Sequence, residues 1–179
     1  MKAIIKTSLI ITMLMPLLTY SKVENKTDTT ETIECLKIIG LALDENNHAI
    51  DGVDVRLFRQ NDLIEQKEIT SVEHHDHNFT FTLESNEYYT VKISKPGFVE
   101  RWIVFYTDFP SEKNMESLLY YEFEVVLMKE KKMDDYYLDF PIALIHYNEK
   151  KDAFENNTMY TTYIKTKIKE AEDLAIQKK

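Results

Sequence analysis

An alternation of apolar and polar residues with a period of two constrains this chain more than any other feature. It extends from residue 33 to residue 128, and in a β-strand successive side chains point to opposite faces. Five clear segments and two weaker ones carry it: IECLKIIGLAL, VDVRLF, FTFTLE, YTVKIS and YEFEVVL, then LIEQKEIT and RWIVFY. The sequence therefore predicts a mainly β fold, a seven-stranded antiparallel two-layer sandwich over residues 33–128.

The first of these segments contains the only cysteine of the chain, Cys35. The alternation places it on one apolar face together with Ile33, Ile39, Leu41 and Leu43. A single cysteine cannot form an internal disulfide, and a lone thiol in an apolar segment behaves as a small core residue. We therefore expect Cys35 to be buried and not to act as a nucleophile.

The chain has only three glycines, Gly40, Gly52 and Gly97. In a sequence so poor in glycine, each is expected where the backbone needs a positive φ or a close approach. Gly52 ends a polar loop just before a strand. Gly97 follows Pro96, a combination that is typical of a type II turn.

Three segments together resemble a known family: GLALDENNHAIDGVDVRLF, NFTFTL and YYTVKISKPGFVE. They are similar to the carboxypeptidase regulatory-like domain, a transthyretin-type β-sandwich of exported bacterial proteins. All three glycines fall on positions of the family pattern, over about residues 36–106. One departure is HDHN in place of the family's Asp-x-x-Gly turn, where we expect Asn78 to take the left-handed conformation. The resemblance implies a module that supports folding or binding by its neighbours.

The first 21 residues have the pattern of a signal peptide. Lys2 and Lys6 precede a short apolar run, TSLIITMLMPLL, and small residues at Thr19 and Ser21 predict cleavage after Ser21. The run is shorter than the roughly 20 apolar residues of a membrane span, although an uncleaved N-terminal anchor is the alternative. Residues 22–32 are predicted to be a flexible leader. We therefore expect export to the periplasm, the cell surface or the extracellular space.

The charge of the chain excludes two classes of partner. Its formal net charge is −9, and removal of Lys2 and Lys6 makes it more negative still. Nucleic acids and anionic membrane surfaces both require a basic face. We therefore expect neither as a partner, and the expected partner is an envelope or cell-surface protein.

A cluster of histidines in SVEHHDHNF is the candidate metal site. His74, His75 and His77 surround one aspartate, and two histidines two residues apart can bind zinc or copper. Since no third ligand is fixed by the spacing, a solvated hairpin tip is the competing interpretation.

Residues 129–179 are predicted to be a C-terminal extension with a different pattern. LDFPIALIHY is a short apolar run, consistent with a buried strand or an extended segment. FENNTMYTTYIKTKIKEAEDLAIQKK follows as a helix with Asn157 or Thr158 as its N-cap. Its apolar residues recur at helical spacing: Tyr160, Tyr163, Ile164, Ile168, Ala171 and Leu174.

The strand RWIVFY is apolar on both faces, which raises the question of what covers the second one. Trp102, Val104 and Tyr106 share that face. We expect the C-terminal amphipathic helix to fold back and pack on this sheet face. The alternative is that Trp102 and Tyr106 form an exposed ligand-binding platform.

No catalytic motif, phosphate-binding glycine loop or cofactor motif is found in the sequence. We therefore expect that the chain is not an enzyme and has no cofactor. The predicted function is that of an exported, non-enzymatic interaction or structural module of the bacterial cell envelope. The alternative is a small carbohydrate- or peptide-binding protein that uses the aromatic sheet face or the loop at residues 107–117.

Overall fold

The computed structural model describes residues 33–70, 77–108, 118–130 and 140–177. The predicted signal segment and leader, His74 and His75 lie outside these ranges. The described residues are mainly β and form two sheets and one C-terminal helix. In chain order the elements are β1 (Glu34–Leu43), β2 (Val53–Arg59), β3 (Asp62–Ile69), β4 (Asn78–Glu84), β5 (Tyr88–Ser94), β6 (Arg101–Tyr106), β7 (Leu119–Val126), β8 (Ala143–Asn148), β9 (Ala153–Asn156) and α1 (Thr158–Gln177).

The prediction of seven antiparallel strands is wrong in two respects. The described residues form nine strands, in a three-stranded sheet of order β4-β1-β7 and a six-stranded sheet of order β3-β2-β5-β6-β8-β9. Two pairs, β1 with β7 and β6 with β8, are parallel. Alternation of apolar and polar residues is the same in either orientation, so the sequence pattern did not distinguish them. The strand β9 was not predicted, because it has only four residues and the helix cap Asn157 follows it directly.

The hydrophobic core lies between the two sheets. Phe105 of β6 meets Tyr121 and Phe123 of β7, with ring centroids 6.1 and 5.8 Å apart. The face of the six-stranded sheet that carries Phe105 is called the inner face below, and the opposite face is called the outer face. The largest fully buried side chains come from both sheets: Phe79, Phe81, Phe105, Leu36, Ile38, Leu57, Ile69, Leu83, Ile93, Leu127, Ile145 and Val53.

Because of a register shift, the core face of β1 differs from the one expected. Cys35 is fully buried, as predicted, and so is the next residue, Leu36. The pairing with β4 is irregular between Glu34 and Leu36, and such a bulge reverses which side chains face the core. Beyond it Ile38 is buried, whereas Ile39 and its alternate neighbours are only partly buried.

The turns before β2 and after β5 have the backbone that their glycines predict. Gly97 has φ of 83°, and the Phe98 amide donates to the Lys95 carbonyl over 3.0 Å, which closes the turn. Gly52 has φ of 64°. Before β4, the left-handed residue is His77, with φ of 55°, and not Asn78 as expected. Asn78 instead starts the strand.

Helix α1 begins where the sequence predicted. The Asn157 side-chain oxygen accepts a hydrogen bond from the Tyr160 amide over 3.0 Å, which is the geometry of an N-cap. The Asn157 carbonyl accepts the first helical bond, from Thr161. Only part of the predicted apolar face is buried, since Ile164 is 3% exposed and Tyr163 is 57% exposed.

The helix packs on the opposite side of the sheet from the one expected. Ile164 lines a groove together with Ile103 and Ile145, which lie on the inner face, and with Tyr121 and Phe123 of β7. The physical reason is the width of the six-stranded sheet. It has six strands against three in the other sheet, and α1 packs beside β8 over inner-face residues that include Ile145. Trp102 is partly exposed, so the prediction that the helix covers it is wrong. Val104 is 1% exposed, and α1 reaches that side of the sheet through the Tyr160 hydroxyl, which donates to the Pro141 carbonyl.

No helix within the described residues combines the length and the apolar character needed to cross a membrane.

Candidate functional site

Strand register places three rows of side chains across the outer face of the six-stranded sheet. One row runs from Arg56 on β2 through Lys92 on β5 to Trp102 on β6. The next row comprises Phe58, Thr90, Val104 and Leu144, and the third comprises Tyr88, Tyr106 and His146. Side chains in such rows are neighbours on one face of a sheet. The outer face is therefore a continuous surface built by β2, β5, β6 and β8.

A cleft of about 340 Å³ opens on this surface. Its lining combines aromatic and aliphatic groups with amide, hydroxyl and ammonium groups, and this mixture is typical of ligand sites. The lining residues are Phe58, Gln60, Asn61, Tyr88, Thr90, Lys92, Trp102, Val104 and Pro141. We call this feature the outer-face cleft.

Lys92 is the cation of the outer-face cleft. Its ammonium nitrogen lies 4.0 Å from the centre of the Trp102 ring and 5.2 Å from the centre of the Phe58 ring. Contacts of a cation with two aromatic faces are attractive, by about 0.5–2 kcal/mol each depending on exposure. Lys92 itself is half-buried. The two rings thus hold the ammonium inside the cleft.

Trp102 is anchored by a chain of polar contacts beside the cleft. Its indole N–H donates to Glu100 Oε1 over 2.6 Å, and Arg56 Nη2 donates to Glu100 Oε2 over 2.5 Å. Arg56 Nε lies 3.2 Å from Asp54 Oδ2. Both oxygens of Glu100 are therefore occupied, and the orientation of the indole is fixed.

Tyrosines surround one end of the outer-face cleft. Tyr88 and Tyr106 contact each other edge to face, with ring centroids 5.3 Å apart. The hydroxyl of Tyr160, in the first turn of α1, donates to the carbonyl of Pro141 over 2.7 Å and so fixes the rim of the cleft.

Burial raises the pKa of Tyr106, and the neighbouring Tyr88 and Asp108 raise it further. Burial likewise raises the pKa of Tyr160. Both hydroxyls therefore remain protonated donors at neutral pH.

The structure separates the two residues that the sequence proposed as a platform. Trp102 is partly exposed and lines the outer-face cleft. Tyr106 is 37% exposed and reaches the cleft through its contact with Tyr88.

Most of the loop at residues 107–117 cannot be compared with the prediction, because residues 109–117 lie outside the described ranges. Thr107 is fully buried and donates its hydroxyl to the Glu84 carbonyl over 2.6 Å, a contact within the fold.

Sequence reasoning missed Phe58, Tyr88 and Lys92. Each stands at an outward position of an alternating strand, where charged and aromatic residues are ordinarily solvated. Only the pairing of β2, β5 and β6 brings them beside Trp102. Knowledge of the strand order β2-β5-β6 would have identified these residues, because it places Lys92 directly opposite Trp102.

The three-histidine metal site stays a prediction. His74 and His75 lie outside the described residues, and the Nδ1 atom of His77 lies 3.3 Å from Asp51 Oδ1. Within the described ranges, no group of three His, Cys, Asp or Glu side chains is placed to hold a metal ion.

Comparisons with known proteins give structural likenesses only. No protein-family model matches the chain, and no curated protein matches it. Similar solved structures include the 3-chlorocatechol 1,2-dioxygenase from Rhodococcus opacus 1CP, at 11% identity and a TM-score of 0.35, covering 56% of this chain and 62% of that one. The C-terminal fragment of the pilus adhesin SpaC from Lactobacillus rhamnosus GG has 12% identity and a TM-score of 0.34, covering 52% of this chain and 44% of the fragment.

A third similar structure is a single B repeat unit of the collagen-binding surface protein of Staphylococcus aureus. It has 12% identity and a TM-score of 0.31, and the match covers 64% of this chain and 50% of the repeat unit. This chain thus spans less than two thirds of each of the three structures. They are immunoglobulin-like or transthyretin-like β-sandwich folds. Membership of the carboxypeptidase regulatory-like family is not shown.

The comparisons correct the prediction that the chain is not an enzyme. Several of the similar structures are enzymes, among them catechol 1,2-dioxygenases from Rhodococcus opacus and Pseudomonas species. The prediction that the chain is not an enzyme is therefore wrong, because similar folds also occur in enzymes. At 10–11% identity, these likenesses assign no activity to this chain.

Proposed function

We propose that this chain is an exported interaction module that binds a partner protein of the cell envelope or cell surface through the outer-face cleft. The observation that supports this most is the position of α1. Because the helix packs on the inner face, Trp102 stays partly exposed beside a concave surface of mixed polarity. Tryptophan and tyrosine at a concave surface are characteristic of protein-binding hot spots.

The location of the cleft favours recognition of side chains over strand addition. The cleft lies across β2, β5 and β6, which are interior strands whose backbone groups are already paired with their neighbours. A partner segment therefore cannot bind there by backbone pairing with these strands. It must be recognised through the aromatic rings, the amides of Gln60 and Asn61, and the Lys92 ammonium.

Carbohydrate binding at the same aromatic face is the competing function. It requires an open ring face on which a sugar can stack. One face of the Trp102 ring is already in contact with the Lys92 ammonium at 4.0 Å. This contact favours a protein partner over a neutral sugar.

A peptide-display screen on the purified chain tests the proposal. Peptides that are enriched from a random library would be synthesised and titrated, with Trp102 emission and calorimetry as readouts. Phe58→Ala removes a wall of the cleft, and Tyr120→Ala removes an aromatic side chain that is 61% exposed on the other sheet. We expect binding to weaken at least about tenfold, or ~1.4 kcal/mol, in the first variant and to stay unchanged in the second.

Three outcomes would overturn the proposal. One is a screen that enriches no peptide over the empty support. Another is a set of peptides that bind Phe58→Ala as tightly as the original chain. The third is a Trp102 emission that responds to neutral oligosaccharides and to none of the peptides, which would favour carbohydrate binding instead.

A further inference from the structure

The ligand chemistry of the outer-face cleft follows from the surroundings of Lys92. Two rings hold its ammonium in place, Trp102 at 4.0 Å and Phe58 at 5.2 Å. Within the described residues, no ion pair includes Lys92. Other lysines differ: Lys67 lies 3.0 Å from Glu65, and Lys151 lies 2.5 Å from Glu155. Lys92 is thus a half-buried cation whose contacts are aromatic and not anionic.

Arg56, the cation next to Lys92 in the same row, differs from Lys92 because it is paired with carboxylates. Arg56 stands directly opposite Lys92 in the sheet register, and like charges in that position repel each other. Arg56 is compensated by two carboxylates, Asp54 at 3.2 Å and Glu100 at 2.5 Å. Asp54 also accepts a hydrogen bond from Gln66, and Glu100 accepts one from the Trp102 indole. A carboxylate brought by a ligand would therefore meet a cation that no carboxylate among the described residues compensates.

The rest of the cleft fits a peptide that carries such a carboxylate. None of the described residues that line it is acidic. Gln60, Asn61 and the Tyr88 hydroxyl supply donors and acceptors for a peptide backbone. Phe58 and Pro141 supply apolar surface for a side chain beside the acid.

We propose that the outer-face cleft binds an acidic peptide segment of the partner, with a Glu or Asp carboxylate of that segment paired to Lys92. This inference rests on the proposed function, because it names the chemistry of the partner at the same site. The formal net charge of the chain is −9, so its overall field does not attract acids. The preference for an acidic segment is therefore local and depends on Lys92 itself. A peptide is favoured over an acidic sugar because Lys92 occupies a face of the Trp102 ring.

Three synthetic probes test this inference: N-acetyl-Ala-Leu-Glu-Leu-Ala-amide and its counterparts with Gln or Lys in place of Glu. Binding to the isotope-labelled chain would be followed by amide chemical shifts in β5 and β6 and by Trp102 emission. We expect the Glu peptide to bind at least about tenfold more tightly than the Gln peptide, and the Lys peptide to bind most weakly. The preference should disappear in Lys92→Gln and persist in Lys92→Arg, which keeps the charge.

The outcomes separate the two proposals. Equal binding of the Glu and Gln peptides, with loss of both in Phe58→Ala, would overturn the acidic preference and leave the peptide site intact. If none of the probes shifts the amides of β5 and β6, the acidic peptide is contradicted, and the display screen decides the function independently. Trigalacturonate is added as a fourth probe. If it alone binds, and does so through Lys92, the partner is an acidic polysaccharide and the peptide inference fails.

Discussion

The ring of Phe79 occupies the space that a side chain on Gly40 would need. The two residues are paired across β1 and β4. A Cβ atom built on Gly40 would lie 2.2 Å from Phe79 Cζ and 2.8 Å from Phe123 Cζ. The two phenyl rings meet over β1, with centroids 5.7 Å apart. A glycine in the centre of this strand therefore allows strands on both sides to cover it with aromatic side chains.

Gly40→Ala should destabilise the fold strongly. Phe79 is 1% exposed, so its ring cannot move into solvent to make room for the new methyl group. Overpacking of this kind costs about 1–3 kcal/mol or more in the free energy of unfolding, and we expect the upper part of this range. Urea denaturation followed by circular dichroism would measure it.

Gly97→Ala is the matched control for that substitution. No atom lies within 4 Å of a Cβ at Gly97, and only the positive φ of 83° opposes a side chain. The cost should therefore be the backbone strain alone, about 1–2 kcal/mol. A smaller loss for Gly40→Ala than for Gly97→Ala would contradict the packing of Phe79 over β1.

The thiol of Cys35 should be unreactive in the folded protein and should make stability depend on alkaline pH. Burial raises the pKa of the Cys35 thiol from 9.0 to about 12. The folded state therefore favours the protonated thiol over the thiolate. The stabilisation from this preference is complete below pH 9.0 and is lost as the pH rises toward about 12. A disulfide reagent should label Cys35 only after unfolding in guanidinium chloride.

The Cys35→Ala variant isolates this pH effect from the titration of other groups. The difference in unfolding free energy between the original chain and the variant should shrink between pH 9.0 and about 12. A difference that stays constant over that interval, or rapid labelling of the native thiol, would show that Cys35 is accessible.

Ile164→Ala should reveal the side of the sheet on which α1 packs. Ile164 is 3% exposed and lies in a groove with inner-face residues, so its truncation should cost about 2–4 kcal/mol. Tyr163→Ala, at a side chain that is 57% exposed, should change stability by less than about 0.5 kcal/mol. The emission of native Trp102 should be the same in both variants. A shift of that emission in Ile164→Ala would place the helix over the outer face instead.

The strand positions could be predicted from the sequence because alternation is a local property. All seven expected segments contain strands, and the second half of the apolar run LDFPIALIHY lies in β8. The core face of β1 could not be predicted in full, since the irregularity near Leu36 depends on pairing with β4. Burial of Cys35 was correctly predicted, whereas Ile33, expected on the same face, is 53% exposed.

The candidate site depends on long-range pairing, and the sequence gives little information about it. Trp102 was identified because both faces of its strand are apolar. Lys92 was not, because a lysine at an outward strand position has the pattern of a solvated residue. The placement of α1 depends on β8 joining β6 in parallel, and no local signal specifies that neighbour.

Quenching of the single tryptophan decides whether the outer-face cleft is open and cationic, since Trp102 lines this cleft beside Lys92. Iodide and caesium would be added separately to the native chain and to Lys92→Gln, with the emission of Trp102 as the readout. We expect iodide to quench several-fold more strongly than caesium, because the nearby ammonium attracts anions, and we expect Lys92→Gln to remove the difference. Emission that resists both ions, as for a tryptophan in a closed core, would contradict the open, cationic cleft.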